Sequence, residues 1–289
     1  MNQQIKKVLY YIETNLQESF IIEDLAKVAG YSKFHFCRIF KLSVGESVMD
    51  YILRLRIEKS SFKLVQDNSI IDVAYDMGYQ TPNGFNKAFK KLFGISPTQY
   101  KKIRNDFLDR FKMKIMRTPE IIQLQEKWVV FTRETGEYTK SSKIAWERLS
   151  KNLNKLETLI PQDEFLNMDQ DIELDENKGE YLGICHDDPA ITKPENIRYD
   201  AAIAWKKKDI EFLSKHGFES KIIQGGKYAM TQHLGDPKKN LDIWFALYKW
   251  CDDNGYKYRD VPAFEQYVNI LDYEDDPTKQ VTQIYIPIE

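Results

Sequence analysis

Apolar residues in the first hundred positions recur at helical spacing. Ile5, Val8, Leu9 and Ile12 share one helix face, Leu25, Val28 and Ala29 a second, and Phe36, Ile39 and Phe40 a third. Gly30 follows the second face as a helix stop able to take positive φ, and Ser32 is placed to cap the helix after it. Further on, Ile71, Ala74 and Met77 precede Gly78. Thr81 is then an expected N-cap, with Pro82 at the first helical position, where its missing N–H does no harm. Between Ser47 and about Val65 there is no Gly or Pro, and Val48, Tyr51, Ile52, Leu55 and Phe62 fall on one side. That stretch predicts a single helix about 27 Å long at 1.5 Å per residue. From about Phe111 the pattern shortens into β-rich runs over 121–131, 181–185, 198–205, 227–232, 264–270 and 281–288. Helical spacing returns near 143–159 and 241–253, with a short segment near 210–215.

The early pattern repeats. Asp24-Leu25-Ala26-Lys27-Val28-Ala29-Gly30-Tyr31 aligns with Asp72-Val73-Ala74-Tyr75-Asp76-Met77-Gly78-Tyr79, and Phe36, Phe40 and Gly45 find Phe85, Phe89 and Gly94. Each copy reads as helix, Gly turn, helix, the helix-turn-helix arrangement. The helix between the copies is comparable in length with the ~34 Å between successive major-groove faces of B-DNA. A looser repeat follows: Lys127-Trp128 through Gly136 leads to a helix with Trp146, Leu149 and Leu153, and Lys227-Tyr228 through Gly235 to one with Trp244, Leu247 and Cys251. By helical spacing Trp244 and Trp250 belong to the core. The expected architecture is multidomain: an all-α N-terminal domain with two helix-turn-helix motifs over 1–105, and an α+β C-terminal domain of two βαββ-like repeats over 111–289.

Charge sharpens that division. The net charge of −2 is an average. Residues 1–105 carry 16 Lys+Arg against 10 Asp+Glu, while the remainder carries 26 against 34. A basic half joined to an acidic one suggests two tasks. Three scattered cysteines and four histidines offer neither a disulfide framework nor zinc-ligand spacing, so no metal and no cofactor is expected. The apolar runs are far shorter than the roughly 20 residues of a membrane span, so a cytoplasmic chain without membrane contact is expected.

In the basic half, the run Ile70 to Tyr79 followed by Phe85, Lys87, Phe89-Lys90-Lys91, Phe93-Gly94 and Ser96-Pro97 resembles the C-terminal signature of the AraC/XylS-type transcription regulators. The resemblance covers about Ile5 to Lys102 and implies double-stranded DNA as partner, with RNA polymerase as a second. Helix geometry points Phe36, Ile39 and Phe40 inward, leaving Lys33, Phe34, Cys37, Arg38 and Lys41 for the groove and its flanks. Arg38 is suited to guanine O6 and N7, and Phe34 and Cys37 to thymine methyls. The equivalents in the second copy are Asn83, Asn86 and Lys87. Lys90, Lys91, Lys101 and Lys102 read as phosphate neutralisers. Gly84 and Pro82 weaken the second helix as a reader of bases.

In the acidic half, Leu182-Gly183-Ile184-Cys185-His186-Asp187-Asp188-Pro189, Gly225-Gly226-Lys227-Tyr228-Ala229, Pro262-Ala263-Phe264-Glu265-Gln266-Tyr267 and Ile284-Tyr285-Ile286-Pro287-Ile288 resemble the GyrI-like small-molecule-binding domain. Glu265 stands in an otherwise apolar strand, so it needs either a compensating Lys or Arg or a ligand. The resemblance implies that it lies in a cleft between the two repeats and faces lipophilic cations. Aromatic rings with one carboxylate suit that chemistry, and Tyr138, Tyr181, Trp205, Tyr228 and Tyr267 are the candidates to line it. The leading expectation is a transcription regulator, an activator, with no catalytic residue and an acidic domain that senses an amphipathic or cationic effector. Two alternatives remain for that domain: a hydrolase of electrophilic small molecules using Glu265, or a protein-binding module.

Overall fold

A computed structural model describes residues 2–65, 68–110, 117–159, 180–188, 192–236, 240–269 and 276–289. The chain divides into two compact units, Met1–Phe107 and Leu108–Glu289.

The first unit is all helical: α1 (Gln3–Thr14), α2 (Ile22–Val28), α3 (Lys33–Val44), α4 (Val48–Val65), α5 (Ile70–Asp76), α6 (Pro82–Phe93) and α7 (Pro97–Arg110). The pairs α2–α3 and α5–α6 are the two helix-turn-helix copies. Gly30 and Gly78 turn the chain at φ +67° and +76°, values that favour glycine. Thr81 caps α6 by accepting from the Gly84 N–H at 3.2 Å. Ser32 occupies the equivalent place before α3, yet its side chain makes no capping bond, so the capping expected there is absent. Ile5, Val8, Ile12, Leu25, Phe36 and Phe40 form one core with Val48, Tyr51, Ile52 and Leu55 of α4. The connecting helix also buries Ile57, Ser60, Ser61 and Leu64, so it is enclosed on more sides than a single apolar stripe implies. The Phe62 side chain lies outside the described residues. Arg56 of α4 donates to the Leu16 carbonyl at 2.9 Å and the Glu18 carbonyl at 2.5 Å, and its guanidinium also packs beside Gly78.

The second unit is one antiparallel sheet with helices on a single face. Its elements are β1 (Glu120–Leu124), β2 (Lys127–Thr135), α8 (Tyr138–Leu159), β3 (Tyr181–Cys185), β4 (Arg198–Trp205), α9 (Lys207–Lys215), β5 (Glu219–Ile223), β6 (Gly226–Leu234), α10 (Asn240–Asp253), β7 (Ala263–Tyr267) and β8 (Val281–Pro287). The strand order β1-β6-β8-β7-β3-β4-β2-β5 shows the two βαββ units, β2-α8-β3-β4 and β6-α10-β7-β8. They join where β3 pairs with β7, and each leading strand crosses to the other unit: β1 pairs with β6, and β5 with β2. Residues 121–131 form two strands rather than one run. The strand Glu219–Ile223 went unpredicted because its Glu-Ser-Lys start conceals the alternation. Position 270, placed at the end of a strand by its pattern, lies outside the described residues.

Strand alternation sorts the side chains into two layers. Val129, Leu182, Ile184, Ala202, Tyr228, Phe264 and Tyr285 pack on the face away from α8 and α10. On the helix face, Val130, Tyr199 and Ala201 pack under α8 and α9, and Ala229, Ile284 and Ile286 under α10.

Candidate DNA interface and effector site

The second helices of the two copies, α3 and α6, present different surfaces. On α3, Phe34 is 85% exposed, and Arg38 and Lys41 are exposed with no hydrogen bond or ion pair among the described residues. Lys33 is exposed too, but its ammonium pairs with the Glu23 carboxylate of α2 at 2.6 Å. Solvent reaches both partners, so that pair is weakly held. Cys37 is half-buried against the first core, so less of it is exposed than its helical position suggests. On α6, Asn83, Lys87 and Lys90 are exposed and Asn86 is half-buried. Lys91 and Lys102 are exposed and Lys101 is half-buried.

In the second unit the β3–β7 seam carries the polar centre of the helix face. Glu265 of β7 is 2% exposed. Its Oε1 accepts from the Trp244 indole N–H of α10 at 2.6 Å and from Asn240 Nδ2 at 3.4 Å. Its Oε2 accepts from the Tyr267 hydroxyl at 2.8 Å. The Tyr199 and Tyr267 hydroxyls lie 3.0 Å apart, and Tyr199 in turn accepts from the Trp146 indole of α8 at 2.9 Å. With Tyr267 donating to the carboxylate, the proton order runs Trp146 to Tyr199 to Tyr267 to Glu265. Helices α8 and α10 thus each send one tryptophan to the centre.

Every donor to Glu265 is neutral. No Lys, Arg or His side chain lies within ion-pair distance of it among the described residues. Burial raises its pKa, and the bonds from Trp244, Tyr267 and Asn240 oppose that rise. Burial also holds the Tyr138, Tyr199 and Tyr267 hydroxyls well above their ordinary range, so they remain proton donors.

Gly183 makes the arrangement possible. It lies directly opposite Glu265 in the β3–β7 register. A Cβ there would stand 2.5 Å from the Tyr267 hydroxyl and 2.6 Å from that of Tyr199. Only a residue without a side chain lets the two phenols meet above β3.

Four of the predicted ligand residues gather here. Tyr267 bonds Glu265, the Tyr181 ring lies 5.9 Å from that of Trp146, and Tyr138 packs edge-on against Tyr199 at 5.3 Å with its hydroxyl 3.0 Å from Cys185 Sγ. The other two lie elsewhere. Tyr228 lies on the opposite face, packed against Phe264 and Tyr285, with its hydroxyl bonded to the Gln224 carbonyl. Trp205 shares the helix face but packs in the core under α8 and α9, as the cross-strand neighbour of Trp128. Trp244 packs in the core, as its helical spacing predicts, and its indole also supplies the shortest bond to Glu265. Trp146, Asn240 and Gly183 were also missed. For Trp244 the available signal was its equivalence with Trp146 in the second repeat, which puts an indole on each helix above the seam.

Among the described residues no group of three His, Cys, Asp or Glu side chains is arranged to hold a metal, and no helix is long and apolar enough to cross a membrane.

Known proteins fit this layout. A helix-turn-helix domain family matches residues 25–103, and the GyrI-like small molecule binding domain matches 117–289. The transcriptional regulator Rob of Salmonella typhimurium is 32% identical over 253 residues, covering 86% of this chain and 83% of that protein. The HTH-type regulator YbfP of Bacillus subtilis is 28% identical over 213 residues, covering 71% and 67%. The solved C-terminal domain of EcmrR covers 60% of this chain and 97% of its own at a TM-score of 0.43 and 18% identity. The chain belongs to the AraC-type transcription regulators that carry a GyrI-like small-molecule binding domain after their helix-turn-helix half.

Proposed function

We propose that this regulator reads duplex DNA with α3 as the principal reader of bases and α6 as the positioning helix, and that a lipophilic organic cation bound at Glu265 controls it. The cation reading rests on one observation: a buried carboxylate, set among aromatic rings and between two helices, that only neutral donors hold among the described residues. An arriving cation gains a desolvated charge partner and the faces of Trp146, Tyr181 and Trp244. Because Glu265 is closed off, entry has to move at least one of those rings. Each carboxylate oxygen already accepts a hydrogen bond, which suits binding rather than activation of water, so the domain binds its ligand without turning it over. The regulator acts in the cytoplasm by bringing RNA polymerase to its sites.

The test uses 4-phenylbutyltrimethylammonium and its neutral analogue 4-phenylbutanol, titrated calorimetrically into the full-length protein. The cation should bind, and Glu265→Gln should weaken it at least about tenfold while leaving the alcohol unaffected. Equal binding of the cation to both proteins overturns the reading. For the DNA half, Arg38→Ala should weaken a site selected from random duplexes by about 1–3 kcal/mol and relax one base preference. A uniform loss over all sequences would place Arg38 on phosphate.

A further inference from the structure

On the same face of the sheet as Glu265, three buried side chains carry polar atoms that no group among the described residues bonds. Asn240 is 4% exposed and its Oδ1 has no donor. Thr282 is fully buried with Oγ1 unmatched. His233 is 7% exposed and neither ring nitrogen is bonded. The register gathers them into one corner of the helix face. His233 of β6 lies opposite Thr282 of β8, and Thr282 lies opposite Tyr267 of β7, whose hydroxyl donates to Glu265. Asn240 reaches the same carboxylate from the start of α10. Its orientation is fixed, since turning the amide would aim Oδ1 at a carboxylate oxygen. Buried polar atoms are nearly always bonded, so several unmatched atoms in one corner point to an occupant that bonds them.

The available atoms define that occupant. Glu265 calls for positive charge. Asn240 Oδ1 can only accept, while a hydroxyl and a neutral imidazole each add an acceptor as well as a donor. A quaternary onium satisfies the charge but has no hydrogen to give. We propose that this corner is the head-group subsite of the effector site and selects a cation bearing N–H bonds, a protonated amine or amidinium, over a quaternary onium. The proposal rests on the cation reading of Glu265 and adds His233, Thr282 and Asn240 Oδ1 as its specificity determinants.

The preference is diagnostic because plain aromatic cages work against it. A primary ammonium is the more strongly hydrated head group, so a cage that offers only rings and charge favours the methylated one. The experiment titrates 4-phenylbutylammonium and 4-phenylbutyltrimethylammonium into the full-length protein, its Thr282→Val and His233→Phe variants, and Glu265→Gln. The unaltered protein should bind the primary ammonium at least about tenfold more tightly. Thr282→Val and His233→Phe should narrow that ratio by weakening the primary ammonium alone. Equal or reversed affinities in the unaltered protein, with both cations weakened by Glu265→Gln, would overturn the N–H selection and leave the cation reading standing. A preference that neither Thr282→Val nor His233→Phe changes would overturn the assignment to this corner. If Glu265→Gln affects neither cation, both readings fall. The first ratio is measured on the unaltered protein and does not depend on any variant folding.

Discussion

Two carboxylates are buried in the same sheet and are treated in opposite ways. Asp200 of β4 is fully buried on the face away from the helices. Arg133 grips it with bonds of 2.6 and 3.0 Å, Lys221 of β5 bonds it as well, and His186 Nε2 lies 2.7 Å away. Its pKa is driven well below the ordinary carboxylate range: the cations outweigh the burial that would raise it. His186 is lowered to about 4, by burial first and then by Arg133 and Lys221, so at neutral pH it is uncharged. Glu265, almost as deeply buried on the other face, has indole, phenol and amide donors and, among the described residues, no cation. A protein that neutralises one buried carboxylate with two cations and the next with none is using them differently. Asp200 fastens β2, β4 and β5 together. Glu265 has only neutral donors among the described residues.

The largest test of the contrast is on the fastened side. Asp200→Ala would leave Arg133 and Lys221 facing each other without their shared anion, and should reduce stability by about 3–5 kcal/mol in urea unfolding. A loss below about 1 kcal/mol would show that the cluster is not the fastening it resembles. Next comes the residue opposite Glu265. Gly183→Ala places a methyl within 2.6 Å of two phenol oxygens, and the resulting shift should lower stability by about 1–3 kcal/mol and weaken cation binding together. Stability lost with binding unchanged would separate the phenol chain from the site.

How much of this was legible beforehand follows from what is local. The helix-turn-helix copies announced themselves because the Gly turn, its cap and both helix faces lie within about twenty-five residues of sequence and occur twice. Glu265 stood out as one carboxylate in a strand of apolar neighbours, and Tyr267 followed from the two-residue alternation of a strand. Asp200 carries the same signal, flanked by Tyr199 and Ala201 in a run that also resembles the GyrI-like domain, but nothing in the run points to its cations. Alternation assigns a side chain to a face; it does not say what lies on that face, which depends on pairings such as Arg133 with Asp200, 67 residues apart. Tyr228 was misplaced for that reason, since its face relative to Glu265 is fixed by the β6–β8–β7 register. Helical spacing places Trp244 in the core, where it does pack, but cannot show that its indole also bonds Glu265, because packing and hydrogen bonding place the same demand on spacing.

A smaller effect tests the open side. Glu265→Gln removes the uncompensated charge and keeps the shape. The Trp244 N–H retains an oxygen to bond, and the Tyr267 hydroxyl can turn to accept from the new amide. Stability at pH 7 should therefore stay level or rise by about 1 kcal/mol, opposite in sign to Asp200→Ala. A loss of several kcal/mol would mean that the ionised carboxylate is itself holding the β3–β7 seam.

The smallest effect is the most discriminating, because the two carboxylates should titrate stability in opposite directions. Glu265 has a folded pKa above its ordinary 4.5, so the folded state holds that proton more tightly. Its contribution is complete below 4.5 and drains away as pH rises through the folded value. Asp200 has a folded pKa below its ordinary 3.8, so its contribution is present above 3.8 and is lost as pH falls through the folded value. His186 acts in the same sense as Asp200, its depressed value withdrawing stability as pH falls from 6.5 towards about 4. Urea midpoints of the unaltered protein and Glu265→Gln, taken across this range, isolate the glutamate, since the Asp200 cluster is common to both. The stability of the unaltered protein relative to the variant should decline as pH rises above 4.5. A difference that is flat, or that grows with pH, would show Glu265 ionising without penalty and would remove the reason for a ligand to seek it. Saturating 4-phenylbutylammonium should suppress the decline, because a bound cation offsets the charge that produces it. By the same linkage, the affinity for that cation should strengthen with pH over the interval in which the empty site loses stability.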